Sequence, residues 1–184
     1  MRYILVCAAL SLALIFTSCA GAQTADRLGY QNSKLYVEAT FTLDDEQIPV
    51  TLTLEAPEYD ESGRMLARDA VLTFGENSII SGVSFEFTGG EVYVSSGVLK
   101  IPISDEAVIS GVCDIISLFC ISGEHYHSSE RVSDGGLKCE RALYVNGDNR
   151  VEVTLDLSCM LPTDISAEIN GRTIAADISY ITAE

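Results

Sequence analysis

Tyr36-Val37-Glu38-Ala39-Thr40-Phe41-Thr42-Leu43 decides the reading of this chain. Val37, Ala39, Phe41 and Leu43 take one parity, and Glu38, Thr40 and Thr42 the other. A period of two is that of a strand with one face buried and one wet. The same order returns in Val50, Leu52, Leu54, in Val83, Phe85, Phe87, and in Leu99, Ile101, Ile103. It continues in Val151, Val153, Leu155, Leu157, in Ile165, Ala167, Ile169, and in Ile174, Ala176, Ile178, Tyr180. Asn146-Gly147 and Asn170-Gly171 read as two-residue hairpin turns, because both residue types tolerate positive φ. Gly89-Gly90, Asp134-Gly135-Gly136 and Asp44-Asp45 also read as turns. Together these runs predict about nine or ten antiparallel strands.

One segment breaks the alternation. Val108, Ile109, Val112, Ile115, Ile116 and Phe119 are spaced three to four apart, which predicts an amphipathic helix over about 105–119. Ser104 reads as its N-cap, with Asp105 and Glu106 in the first turn, where the helix dipole favours negative charge. A lone amphipathic helix among strands must lay its apolar stripe on the apolar face of the sheet. The polar stretch Pro57 to Arg68, with Glu58, Asp60, Glu61 and Gly63, reads as a loop.

At 184 residues, one domain is the expectation. Lys and Arg total 11 against 27 Asp and Glu, a net charge of −16. No basic patch exists to neutralise phosphates, which excludes a nucleic-acid binder. Hydrophobic residues at 47% exclude a disordered chain. Two histidines and no tryptophan leave little for acid–base chemistry near neutral pH.

The N-terminus carries an address. Arg2 precedes an apolar run from Tyr3 to Phe16, of signal-peptide length and too short to span a bilayer comfortably. Phe16-Thr17-Ser18-Cys19 looks like a bacterial lipobox, in which a small residue precedes a cysteine whose thiol takes a diacylglycerol. Phe16 stands where leucine is usual. Ala20-Gly21-Ala22 offers an alternative signal-peptidase site, releasing a chain that begins at Gln23, and an uncleaved anchor is the third reading. We expect residues 1–18 to be a lipoprotein signal peptide, Cys19 the lipid attachment, 19–34 a tether, and 35–184 the domain. Loss of Arg2 makes the mature chain more negative still, so it should stand off anionic headgroups.

The order of parts resembles the LolA/LolB-like lipoprotein-localisation fold and its lipid-anchored relatives in Gram-positive bacteria. The resemblance rests on the lipobox, the strands from Tyr36 to Ala56, and Ile80-Ser81-Gly82-Val83-Ser84-Phe85. It continues through the helix ending in Ile116 and Phe119 and the closing run Val151–Asp156, Leu161-Pro162-Thr163-Asp164-Ile165, Gly171 and Arg172. It implies a mainly β protein, a single curved antiparallel sheet or open half-barrel with one helix on its concave face, enclosing an apolar cavity for acyl chains. That group has a substantial helix before the first strand, whereas here only Thr24 to Leu35 is available and it contains Gly29. The cavity is then expected to be wider, or the fold to be a trimmed variant without lipid. Phe41, Phe85, Phe87, Ile109, Ile116 and Phe119 are the candidate cavity lining; the alternative is that they fill an ordinary core.

Other chemistry is weaker. With Cys7 in the signal and Cys19 acylated, Cys113, Cys120, Cys139 and Cys159 remain as candidate disulfide cysteines or as small buried residues. Cys113 and Cys120 sit about 10 Å apart along a helix, too far to bond each other. Cys139 shares parity with Leu137 and Leu143, and Cys159 continues the Val151–Leu157 face, so helix-to-strand pairs are sterically sensible. His125 and His127, on an expected strand, would face the same way, but no CxxC or HExxH completes a metal site. Ser128 and Ser129 beside His127 lack a nucleophile elbow, and the acidic runs fall in turns. We therefore expect no enzyme, no cofactor and no metal. The expected function is a lipid-anchored, extracytoplasmic, non-catalytic protein whose partners are the membrane and an apolar, acyl-chain ligand. The alternative is a surface interaction lipoprotein with a filled core.

Overall fold

The computed structural model describes residues 27–43, 46–61, 68–76, 81–169 and 171–184. The apolar segment 1–18, Cys19, Asp44-Asp45, Ile80 and Asn170 lie outside the described residues. The alternating runs become eleven strands rather than nine or ten. They are β1 (Leu35–Leu43), β2 (Glu46–Leu54), β3 (Ala70–Phe74), β4 (Ser84–Thr88), β5 (Glu91–Ser96) and β6 (Leu99–Pro102). After helix α1 (Glu106–Ser117) come β7 (Tyr126–Asp134), β8 (Leu137–Asn146), β9 (Asn149–Asp156), β10 (Leu161–Ile169) and β11 (Arg172–Ala183).

All neighbours pair antiparallel, in the order β6-β5-β4-β3-β2-β1-β11-β10-β9-β8-β7. The sheet is therefore two meanders joined in the middle by β1 and β11, with α1 carrying the chain from one edge to the other. It curves without closing into a barrel, leaving β6 and β7 as edges. The fold class expected from the sequence, a mainly β antiparallel sheet left open with one helix, is thus present.

Register explains the core. Val37, Ala39 and Phe41 lie opposite Leu52, Val50 and Ile48, and Phe41 also lies opposite Ala176. One parity of each strand therefore shares one face, and these residues form a single cluster with Val112, Ile115 and Ile116 of α1. Fully burying side chains such as Phe41, Leu52 or Ile165 contributes about 1.5–3 kcal/mol each.

The helix sits within two residues of its expected bounds, but Asp105, not Ser104, is the N-cap. Its carboxylate accepts from Ala107 N at 3.0 Å and Val108 N at 3.1 Å, satisfying donors that the first turn leaves free. The β8–β9 turn is Gly147-Asp148 rather than Asn146-Gly147, because Asn146 already pairs with Asn149. Gly147 supplies the φ of 63° that this turn requires. The run Leu99, Ile101, Ile103 keeps its parity but not its burial: β6 is outermost, and Leu99 and Ile101 are 58% and 46% exposed.

Residues 27–34, within the stretch assigned to a tether, pack on the body. Leu28 and Tyr30 belong to the core, and Gly29–Asn32 form a short 3-10 turn where the resembled group has a longer helix. Buried Arg68 holds that turn, donating to the carbonyls of Gln31 (3.0 Å), Ser33 (2.7 Å) and Glu55 (2.7 Å). The described part of the expected loop, 57–61, is largely irregular, with the Tyr59 hydroxyl donating to Asn32 Oδ1 at 3.0 Å.

Candidate functional site

α1 does not seal the sheet it covers. Between it and β2, β3 and β4 lies a cleft of about 340 Å³, near the small end of the roughly 300–1,000 Å³ typical of ligand sites. Leu72, Phe74 and Phe85 form its floor, and Val108, Val112 and Ile115 its helical wall. The wall follows from sequence spacing, since residues three and four apart share a helix face. Phe74 and Phe85 meet edge to face, with ring centroids 5.6 Å apart.

Gly111 lies between these wall residues and also lines the cleft. An added Cβ there would meet nothing within 4 Å, so close packing does not demand glycine. Glycine inside a helix costs about 1 kcal/mol relative to alanine. Here it trades helix stability for space.

The mouth carries charge. Arg172 and Asp114 line the cleft with Thr173 and Ile174. β11 register puts Arg172 on the same side as Ile174, facing α1. Neither side chain forms an ion pair among the described residues.

A second cavity of about 350 Å³ opens on the other flank of α1, lined in part by Cys113, Cys120, His125, Tyr144 and Asn146. Tyr144 is 2% exposed, and its hydroxyl has no hydrogen-bond partner among the described residues. Burial pushes that phenol up to about 12. Nearby, Arg27 Nη2 lies 2.6 Å from Glu140 Oε1, and its guanidinium is 5.0 Å from the Tyr126 ring centroid. Burial alone would raise the Glu140 pKa. Hydrogen bonds from Arg27 and Ser129, together with the Arg27 charge, instead hold it below the usual carboxylate range.

Of the six candidate lining residues, Phe85 forms part of the cleft. Phe41, Ile116 and Phe119 are buried in the core, and Phe87 and Ile109 pack half-buried against it. Cys113, Cys120, Cys139 and Cys159 are free cysteines. Cys120 follows the end of α1 rather than lying on it, and burial raises its pKa. Cys139 is buried, but on the sheet face away from Ala142 and Tyr144. Cys159 does not continue a buried face. β9 ends at Asp156, whose carboxylate and carbonyl receive Ser158 N (2.8 Å) and Met160 N (2.7 Å), and the resulting turn exposes Cys159. His125 lies in the 3-10 turn Gly123–His125 and His127 on β7, so strand parity does not relate them. Among the described residues, no three His, Cys, Asp or Glu side chains are grouped to hold a metal.

Sequence reasoning passed over Gly111, Asp114 and Arg172. Arg172 left a signal, since it takes the parity of Ile174, Ala176 and Ile178, an odd place for a cation. Gly111 and Asp114 gain meaning only once the helix is set on the sheet.

No protein-family model matches the sequence, and no curated protein matches it significantly. Among solved structures, the chain is similar to MucB, with a TM-score of 0.51 and 11% identity over 91% of this chain. It spans only 60% of the length of MucB. LprF from Mycobacterium bovis aligns over 88% of this chain and 91% of its own, at TM-score 0.46 and 13% identity. A putative outer membrane lipoprotein-sorting protein domain from Vibrio parahaemolyticus aligns over 88% and 91%, at 0.43 and 10%. At these identities the likeness is one of fold.

Proposed function

We propose that this protein is a lipid-anchored, extracytoplasmic, non-catalytic binder or carrier of an apolar, acyl-type ligand. The observation that carries the reading is the apolar cleft of about 340 Å³ floored by Leu72, Phe74 and Phe85, with Gly111 on its helical side. Each methylene buried there contributes about 0.8 kcal/mol before ordering costs. The volume suits one chain segment better than several. Lipidation of Cys19, with residues 1–18 removed, rests on the lipobox-like Phe16-Thr17-Ser18-Cys19. Leu28 and Tyr30, which fall within the proposed tether, pack in the core of the body.

Native mass spectrometry with a fluorescent fatty acid or monoacylglycerol tests the reading. One bound acyl chain per protein is expected, with uptake abolished in a folded Gly111→Leu variant that fills the cleft. Absence of uptake by the wild-type domain overturns it. The mass of the mature N-terminus tests the anchor: a diacylglyceryl Cys19 is expected, and a chain beginning at Gln23 overturns it. Exposed Leu99 and Ile101 on the edge strand β6 favour the second reading, a surface module that docks a partner. That reading expects partner binding to survive Gly111→Leu.

A further inference from the structure

Arg172 and Asp114 stand at the mouth of the apolar cleft, opposite in charge and unpaired with each other. We propose that they select the head of the ligand: a zwitterionic amphiphile, its anionic group held by Arg172 and its ammonium by Asp114. The inference rests on the acyl-binding reading of the cleft and adds the chemistry of the headgroup.

Three observations carry it. First, Arg172 occupies the α1-facing parity of β11, where Ile174 and Ala176 are buried, yet it sits at the strand's first residue, where the guanidinium is exposed. A cation there borders apolar surface on one side and water on the other, as the phosphate of an amphiphile does when its chain is buried. Second, Asp114 lies in the last turn of α1, near the carbonyl end of the helix dipole. That end disfavours a carboxylate and favours a cation, and no basic side chain occupies this last turn. A ligand ammonium would meet the Asp114 carboxylate at the negative end of that dipole. Third, a net charge of −16 opposes any ligand that is only anionic, so a lone carboxylate or phosphate gains less from Arg172 than a head that brings its own positive charge.

Charge-assisted hydrogen bonds from guanidinium to phosphate and from ammonium to carboxylate are the stronger kind, and at a half-exposed mouth each is expected to be worth about tenfold in affinity. The test is binding of lysophosphatidylethanolamine, lysophosphatidylglycerol and monoacylglycerol of equal chain length to the mature domain, below their micellar concentrations. The zwitterionic probe should bind tightest. Arg172→Gln should weaken it about tenfold and leave monoacylglycerol unchanged, and Arg172→Lys should restore part of the loss. Asp114→Asn should weaken lysophosphatidylethanolamine while strengthening lysophosphatidylglycerol. Equal binding of all three probes, or equal loss of all three in Arg172→Gln, overturns the headgroup assignment and leaves the acyl cleft standing. If monoacylglycerol and the two phospholipids all fail to bind, both readings fall.

Discussion

The two flanks of α1 are built from the same sheet yet solve different problems. On the β2–β4 flank, the helix and strands keep apart, and the space between Phe85 and Gly111 is apolar and open. On the β7–β9 flank, a partly buried ion pair joins Arg27 to Glu140, while Tyr126 and Tyr144 meet edge to face at 6.0 Å. An unpaired buried charge is costly, so on the second flank Arg27 and Glu140 are held to each other. An apolar cleft imposes no such demand. The contrast sets an open apolar cleft against a flank whose own cavity, of about 350 Å³, is bordered by the buried Tyr144 and lies near a partly buried ion pair.

The contrast is broken most directly by phenylalanine truncation. Phe119→Ala, at a fully buried core position, should cost about 4 kcal/mol in urea unfolding, the transfer term plus a cavity. Phe85→Ala, on the floor of an existing cleft, should cost about 1 kcal/mol, since part of that space is already empty. Equal losses at the two sites would mean the cleft floor is packed as tightly as the core.

Arg27→Ala comes next, at about 3 kcal/mol, because it strands Glu140 with a side chain only 15% exposed. The sign with pH is fixed by Glu140. Its folded pKa is depressed, so the pair's contribution is fully present above the ordinary glutamate pKa of about 4.3 and is lost as pH falls through the lower folded value. Arg27→Ala should therefore flatten the acid limb of the stability curve. An unchanged limb would show that the pair does not govern it.

Much of this fold was legible because a strand declares itself in adjacent residues. Val37, Ala39 and Phe41 needed no knowledge of their partners to be assigned inward, and Val108, Val112 and Ile115 marked a helix face on their own. What pairs at long range stayed hidden. Arg68 closed an expected loop, and its burial depends on carbonyls of residues 31, 33 and 55 that no local pattern connects to it. Leu99 and Ile101 carried the pattern of burial, but an edge position is a property of the whole sheet. The candidate site suffered most. The sequence favours the largest aromatics as cavity lining, yet Phe41 and Phe119 are large enough to fill the core themselves. The opening is marked instead by the smallest residue on the helix.

That residue gives the next test. Gly111→Ala should stabilise the protein by about 1 kcal/mol, because helix propensity improves and the new methyl meets no neighbour. Acyl uptake should fall only slightly, as one methyl takes little of about 340 Å³. A destabilised Gly111→Ala would mean that α1 packs more closely over the sheet than the open flank implies.

The smallest effect lies on the reverse side of the strands that join the two flanks. Asp164 of β10 and Asp177 of β11 are directly opposed, on the face away from Ile165 and Ala176. Burial, then the charges of Asp177 and Glu152, raise the Asp164 pKa, with Arg141 partly offsetting them. A raised carboxylate pKa means the folded state holds its proton longer than the unfolded chain. The penalty is thus fully present above the folded value and relieved as pH falls towards the unfolded pKa of about 3.9. Asp177→Asn should stabilise the protein by about 0.5 kcal/mol at neutral pH, the worth of removing a like-charge cross-strand pair. The gain should shrink as the pH is lowered through the Asp164 titration, opposite in sign to the acid limb set by Glu140. A gain that persists at low pH would assign it to packing rather than charge, and would remove the repulsion from the β10–β11 pair.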